Sequence, residues 1–252
     1  MGLFSKKQLE DIVVIDIETT SGEESLNVLN DKNPRLADLW TKRCLYLRAK
    51  HSDNADLSDE EIYDQKSGLQ AEFGKIVCIT VGYIRFNNTG LPTIKTKSYQ
   101  GHNEEELLSE FFKFIKQLEA QLPNSKLSGH SIKRFDVPFI CKRALILGLE
   151  LPPMFVIHDK KPWQLSFIDT AELWGHSAWQ ESFTSLDILT AVLGVPSPKS
   201  DIDGSQVTEV YWRENDLERI VMYCERDVAA TAQALLRLSG IDIAIEENIL
   251  SV

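Results

Sequence analysis

Two carboxylates stand at the end of a predicted buried strand near the start of the chain. Asp16 and Glu18 are separated by one residue and close the β-branched run 11–18. Because side chains alternate across a strand, both point to the same face. Two carboxylates at the rim of a core repel each other, and a bound divalent cation removes that conflict. The spacing alone is weak evidence, since a second copy, Asp59-x-Glu61, stands where acidic residues favour a helix start.

A third carboxylate follows a later predicted strand. Phe135-Asp136 comes after a short connection that contains Lys133 and Arg134. One interpretation is that Asp136 caps the helix that begins there. The other is that Asp136 joins a metal site, because the adjacent basic pair would suit a substrate that carries phosphate.

A hydroxyl and a fourth carboxylate lie near the end of the chain. Tyr223 and Asp227 are four residues apart on a predicted helix, so their side chains share one face. Alone, this pair could equally be a tyrosine at the core edge with a solvated aspartate. The pair indicates a functional site only if the fold brings it close to the other carboxylates.

The elements that must position these residues form an α/β pattern. The hydrophobic patterning predicts strands over residues 11–18, 76–86, 93–99, 126–130 and 165–169. Amphipathic helices are predicted after Asn103 and over residues 137–147, and the chain beyond residue 169 is predicted to be mainly helical. A hairpin of strands followed by alternating strands and helices predicts a sheet of mixed direction.

Two segments fall outside this pattern. Residues 21–72 read as a helical insertion after the first strand, with Pro34 opening one helix and Ser58 with Glu61 forming a capping box for another. The tail at residues 240–252 is predicted either to pack on the core or to add an edge strand.

Composition and charge restrict the class of protein. The chain has 252 residues, 43% hydrophobic, and is expected to form a single domain over residues 1–252. Its net charge of −11 excludes binding of nucleic acid or membranes through bulk electrostatics, so nucleic acid would need a basic patch or bound metal. Within residues 51–72, seven acidic residues accompany Lys66 alone, so the insertion is not expected to face nucleic acid. With no membrane-length apolar run, no signal peptide and dispersed cysteines, we expect a cytoplasmic protein.

Together the three fragments resemble the tyrosine-containing (DEDDy) branch of the DEDD 3′–5′ exonuclease superfamily. That family carries Asp-x-Glu on its first strand, Phe-Asp after a later strand and Tyr-x-x-x-Asp on a C-terminal helix, and all three occur here in that order. The likeness is greatest to stand-alone predicted bacterial exonucleases similar to the exonuclease domain of family-B DNA polymerases. Residues 73–82, 185–194 and 197–205 support it. Ser131 stands where the wider family commonly has Asn, a departure that concerns substrate contact rather than the metal cluster.

The resemblance implies a fold, an activity and a set of site residues. The fold is a ribonuclease H-like mixed sheet flanked by helices, and the activity is hydrolysis from the 3′ end of single-stranded or frayed DNA, with release of nucleoside 5′-monophosphates. Two Mg²⁺ or Mn²⁺ ions would be held by Asp16, Glu18, Asp136 and Asp227, and Tyr223 would orient the attacking water. The expected substrate contacts are Thr19, Phe135, Lys133, Arg134 and Lys199.

Three alternatives stay open at this point. The same carboxylates would serve an exoribonuclease, because they act on phosphate and not on the 2′-hydroxyl. A non-catalytic module that binds nucleic acid or protein could keep the fold. Asp16, Glu18 and Asp227 could also hold a purely structural metal. No particular protein partner is predicted.

Overall fold

The computed structural model describes residues 2–176, 184–196 and 202–251. Within these residues, six strands form one mixed sheet in the order β5-β4-β1-β2-β3-β6. The strands are β1 (Ile12–Ser21), β2 (Gly74–Phe86), β3 (Pro92–Gln100), β4 (Lys126–Gly129), β5 (Phe167–Asp169) and β6 (Ile249–Ser251). β1, β2 and β3 pair antiparallel, whereas β4 joins β1, β5 joins β4 and β6 joins β3 in parallel. The predicted mixed α/β sheet is confirmed.

Helices cover both faces of this sheet. In the described part of the chain they are α1 (Lys6–Glu10), α2 (Leu26–Lys32), α3 (Pro34–Lys50), α4 (Asp59–Lys66), α5 (Glu104–Gln121), α6 (Asp136–Ile146), α7 (Thr170–Gly175), α8 (Leu186–Leu193), α9 (Val207–Glu209) and α10 (Leu217–Leu238). α9 continues into a π-helical turn, Val210–Glu214. None of the helices described combines the length and the apolar character needed to cross a bilayer.

The central strand β1 is buried on both faces, so its alternating side chains enter two different cores. Ile15 and Ile17 belong to the core that α5 and α6 cover, which includes Phe111 and Ile140. Val14 belongs to the opposite core, under α10. Because side chains alternate, Asp16 and Glu18 continue the α10 face beyond its apolar part.

Helix α10 lies unusually close to the sheet. A Cβ atom placed on Gly82 of β2 would lie 2.4 Å from the Val228 Cγ1 of α10, so only glycine permits this approach. The helix is held at this distance by a buried face that includes Cys224, Ala232 and Leu235. The close contact brings the functional face of α10 to the end of β1.

The insertion folds as α2, α3 and α4 around a small core of its own. Trp40 of α3 is fully buried and its ring meets that of Tyr63 edge-on, with centroids 5.3 Å apart. Ser58 and Glu61 form the reciprocal hydrogen bonds of a capping box at the start of α4. The insertion is therefore an ordered body attached to the C-terminal end of β1.

The C-terminal tail combines the two predicted arrangements. Ala244 is buried, and its backbone exchanges two hydrogen bonds with the side chain of Gln233, at 2.8 and 2.9 Å. The chain then adds β6 as an edge strand, at residues 249–251 rather than at the alternating isoleucines 241–245.

Candidate active site

The strand pairing of β1 changes near the first two carboxylates. β4 pairs only with Ile12–Val14, so beyond residue 14 that edge of β1 is not covered by β4. On the other side, the pairing with β2 shifts register between Glu18 and Thr19. Such irregularities re-aim side chains and are common beside active sites. Here the shift follows directly after the Asp16–Glu18 pair.

Asp136 reaches the uncovered edge of β1 from the start of α6. Its carboxylate accepts hydrogen bonds from its own backbone N–H and from that of Ile17, and the side chain is buried. The interpretation of Asp136 as a helix cap is wrong, because Phe135 occupies the cap position and Asp136 is the first helical residue. Its carboxylate faces β1 instead of closing its own helix.

Helix α10 brings the remaining predicted groups to the same place. The Cys224 thiol donates to the backbone oxygen and to Oδ2 of Asp16, each at 3.5 Å. The Tyr223 hydroxyl donates to Asp227, one turn further along. Ligand atoms of Asp16, Glu18 and Cys224 lie within 4.8 Å of one another. No local sequence pattern distinguishes Cys224 from an ordinary buried thiol.

Burial and mutual repulsion dominate the electrostatics. Burial first, and then the charges of Asp136 and Asp227, hold the pKa of Asp16 well above its ordinary value. Burial and the charge of Asp16 also raise the pKa of Glu18 well above its ordinary value. Burial raises the pKa of Asp136 to about 7 and that of Asp227 to about 6. Burial and the neighbouring carboxylates also raise the pKa of Tyr223, so its hydroxyl is protonated at neutral pH.

This donor set fits divalent metal ions. No lysine or arginine in the described ranges pairs within 4.0 Å with any of the four carboxylates, so no cation of those ranges relieves their repulsion. Fully ionised, the cluster would carry four negative charges in a buried place. Oxygen ligands of this kind suit Mg²⁺ and Mn²⁺.

A fifth carboxylate, Asp169, fixes the loop that delivers Asp136. Asp169 ends β5, is buried, and accepts hydrogen bonds from the backbone N–H groups of Ser131, Lys133 and Ala171, at 3.0, 3.3 and 3.0 Å. Ser131 lies in the left-handed region at φ 63°, a conformation that costs free energy and needs such support. The sequence prediction missed Asp169, although its place at a strand end before a helix was a usable signal.

Asp169→Asn is therefore expected to lower kcat by about 10- to 100-fold through displacement of Asp136. An amide keeps an acceptor but loses the charge that three N–H donors share. The measurement compares kcat, Mn²⁺ affinity and melting temperature between Asp169→Asn and a control variant, Asp159→Asn. Asp159 is an exposed acid. Equal kcat in both variants, or a loss of kcat explained by unfolding at the assay temperature, would contradict a positioning role.

The residues predicted to contact substrate differ in their exposure and in the partners they already have. Thr19 is half-buried in β1 beside the carboxylates, and Phe135 precedes Asp136 with its ring packed on that of Phe139. Arg134 is exposed, whereas the Lys133 Nζ already donates to Glu172 at 2.6 Å. Lys199 lies outside the described residues.

The chain is similar in sequence to one family of known proteins. A family model described as a predicted 3′–5′ exonuclease related to the exonuclease domain of PolB matches residues 66–249. That range contains Asp136, Tyr223 and Asp227 and begins after β1. No curated protein matches the chain.

A solved structure shares the fold. The family B DNA polymerase of the hyperthermophilic archaeon Pyrobaculum calidifontis superposes with a TM-score of 0.50 at 16% identity. The match covers 89% of this chain but only 24% of the polymerase chain, so the protein spans about a quarter of that relative's length. This likeness supports the predicted ribonuclease H-like class of fold.

Proposed function

Because the chain belongs to the family of predicted 3′–5′ exonucleases related to the exonuclease domain of PolB, we propose that it is a metal-dependent hydrolase of nucleic acids. It would remove nucleotides one at a time from the 3′ end of single-stranded or frayed DNA and release nucleoside 5′-monophosphates. The observation that carries this proposal is the gathering of four carboxylates and a protonated tyrosine at the end of one strand.

The four carboxylates would hold two Mg²⁺ or Mn²⁺ ions. Such ions, when bound, supply Lewis-acid stabilisation of the phosphate and lower the pKa of a bound water. Asp16 has neighbours on both sides, Asp136 from α6 and Asp227 from α10, and both charges act on it. Asp16 is therefore the group suited to connect the two ions.

Tyr223 would orient the attacking water. Its hydroxyl is protonated because burial and nearby carboxylates raise its pKa, and it already donates to Asp227. A protonated phenol can donate one hydrogen bond and accept another, so it can fix a water without taking its proton. The charges of Glu18 and Asp227 both act on Tyr223, which supports a shared role for the three groups.

The groups around the cluster suggest how the 3′ end would be held. Thr19, which directly follows Glu18, would contact the terminal sugar, and Phe135 would contact the terminal base. Arg134 would contact phosphate more readily than Lys133, because Lys133 is paired with Glu172. Lys199 would be a further phosphate contact.

Tyr223→Phe is expected to lower kcat by about 10- to 100-fold while the Mn²⁺ dependence stays unchanged. The variant removes one hydroxyl and none of the carboxylates. The measurement is a Mn²⁺ titration of the cleavage rate for both proteins. A shift of the half-saturating Mn²⁺ concentration with little change in kcat would mean that Tyr223 supports the ligands rather than the water.

The experiment that tests the function follows a 5′-labelled single-stranded DNA and a matched RNA in Mg²⁺, Mn²⁺ or EDTA. The proposal expects a ladder that shortens from the 3′ end, depends on the metal and disappears in Asp227→Asn. A ladder on RNA alone would assign the exoribonuclease alternative. Binding of either strand without cleavage would overturn the enzyme and favour a catalytically silent module.

A further inference from the structure

A cavity opens on the helical insertion, away from the residues of the candidate active site. It has a volume of about 400 Å³ and lies between the last turns of α3, the turn after it and the turn Ser67–Leu69. Arg43, Lys50 and Lys66 line it, together with the aromatic ring of Tyr46. Most of this wall precedes residue 66, where the match to the family model begins.

The charge of this cavity is opposite to that of the chain. Neither Arg43 nor Lys50 nor Lys66 forms an ion pair with any carboxylate of the described ranges. Asp53 is the acidic residue in the lining. Arg43 also donates its Nε–H to Gln70 at 2.9 Å, which holds the guanidinium in place. Three cations against one acid in the lining, in a protein of net charge −11, form a local site for an anion.

Four acidic residues of the insertion that do not line the cavity have partners of their own. Asp59 pairs with Arg48 at 2.6 Å, Asp64 with Arg213 at 2.5 Å, and Glu72 with Lys142 at 3.1 Å. Glu61 caps α4. The count of acidic residues over 51–72 therefore misrepresents this surface, because the basic residues of α3 lie beside Lys66 only after folding.

The lining also offers a platform for a base. The ring of Tyr46 is half exposed, with Arg43 at 4.9 Å and Lys50 at 5.8 Å from its centroid. Leu69, 57% exposed, adds apolar surface. Aromatic rings combined with cations along one groove are the means by which proteins bind single strands without reading sequence.

The cavity is attached to the strand that carries the carboxylates. A Cβ atom on Gly68 would lie 3.0 Å from the backbone carbon of Thr20, so the turn that ends in Leu69 rests on β1. Thr20 is two residues beyond Glu18, about 7 Å along the strand. A single strand bound at both places would follow this end of β1.

We propose that this cavity, defined by Arg43, Tyr46, Lys50 and Lys66, binds the phosphates and a base of the substrate strand on the 5′ side of the nucleotide being removed. The inference rests on the proposed function for its ligand. Contact with several nucleotides would retain the strand between successive cleavages.

The test compares the triple variant Arg43→Ala, Lys50→Ala, Lys66→Ala with a control of equal charge, Arg35→Ala, Lys42→Ala, Lys113→Ala. Binding of a fluorescein-labelled oligo-dT of about 20 nucleotides is followed by anisotropy in EDTA, which prevents cleavage. The cavity variant is expected to bind about tenfold more weakly, with a salt slope reduced by about 2, while the control changes little. Tyr46→Ala is expected to weaken binding with the salt slope unchanged, because it removes stacking and no charge.

Hydrolysis of a thymidine dinucleotide in Mn²⁺ separates this inference from the function itself. A dinucleotide offers the cavity fewer phosphates and bases than oligo-dT does, so the triple variant should lose much less of its cleavage rate on the dinucleotide than on oligo-dT. Absence of dinucleotide cleavage in the wild type would count against the exonuclease, and the anisotropy would still decide the cavity. Equal affinity and salt slope in the cavity and control variants, or no binding of oligo-dT by the wild type, would overturn the inference.

Discussion

Asp16→Asn is expected to lower the rate of nucleotide release by at least about 10³-fold, with little change in fold. Asp16 lies between the carboxylates of α6 and α10, and both act on its charge. A neutral amide cannot connect two cations as a carboxylate does, and metal stabilisation of the transition state is worth several kcal/mol. The measurement is single-turnover cleavage of a 5′-labelled DNA in saturating Mn²⁺.

The matched control for this variant is Asp38→Asn. Asp38 is an exposed acid on α3. Its removal changes the net charge by the same amount and should leave the cleavage rate within about twofold. Retention of a tenth or more of the wild-type rate by Asp16→Asn would show that the carboxylate cluster is not the catalytic centre.

The second large effect concerns stability in the absence of metal. Asp136→Asn is expected to raise the melting temperature in EDTA at pH 8 by at least about 4 °C. The folded pKa of Asp136, about 7, lies above its ordinary 3.8, so the fold favours the neutral form. Stability from this group is present below the ordinary pKa and is lost as the pH rises through 7. A gain on the order of 2 kcal/mol corresponds to a shift of this size.

The control for this prediction is the same comparison of melting temperatures at a lower pH. At pH 5 Asp136 is neutral in the folded wild type but still ionised in the unfolded chain, so the difference between the two melting temperatures should narrow and should close only below about pH 3.8. Mn²⁺ at pH 8 should stabilise the wild type more than the variant, because it neutralises the ionised cluster. A variant less stable than the wild type at pH 8 in EDTA would mean that the cluster is not under electrostatic strain.

The sequence predicted the parts of the molecule that local patterns encode. The β-branched run before Asp16 predicts a buried strand, and the spacing of Tyr223 and Asp227 predicts a shared helix face. These patterns depend only on residues that are close together in the sequence. The convergence of β1, α6 and α10 is not local, and the resemblance to a family supplied it.

Other features depend on contacts between distant segments. Asp169 holds the loop at Ser131 across 38 residues of sequence, and Lys133 is paired with Glu172, which is 39 residues away. The cavity on the insertion joins α3 to Lys66, and the linear count of charges could not show which acids would be paired. Such features follow from tertiary packing, which a single sequence does not display.

We propose that the carboxylates of β1, α6 and α10 hold the metal that hydrolysis uses. The most direct measurement counts bound Mn²⁺ by electron paramagnetic resonance and follows release of nucleoside 5′-monophosphate in the same samples, for the wild type and for Asp16→Asn with Asp227→Asn. We expect two Mn²⁺ per wild-type chain, a release rate that rises with their occupancy, and loss of both in the double variant. Release at the wild-type rate by a double variant that binds no Mn²⁺ would show that hydrolysis does not use a metal held by these carboxylates.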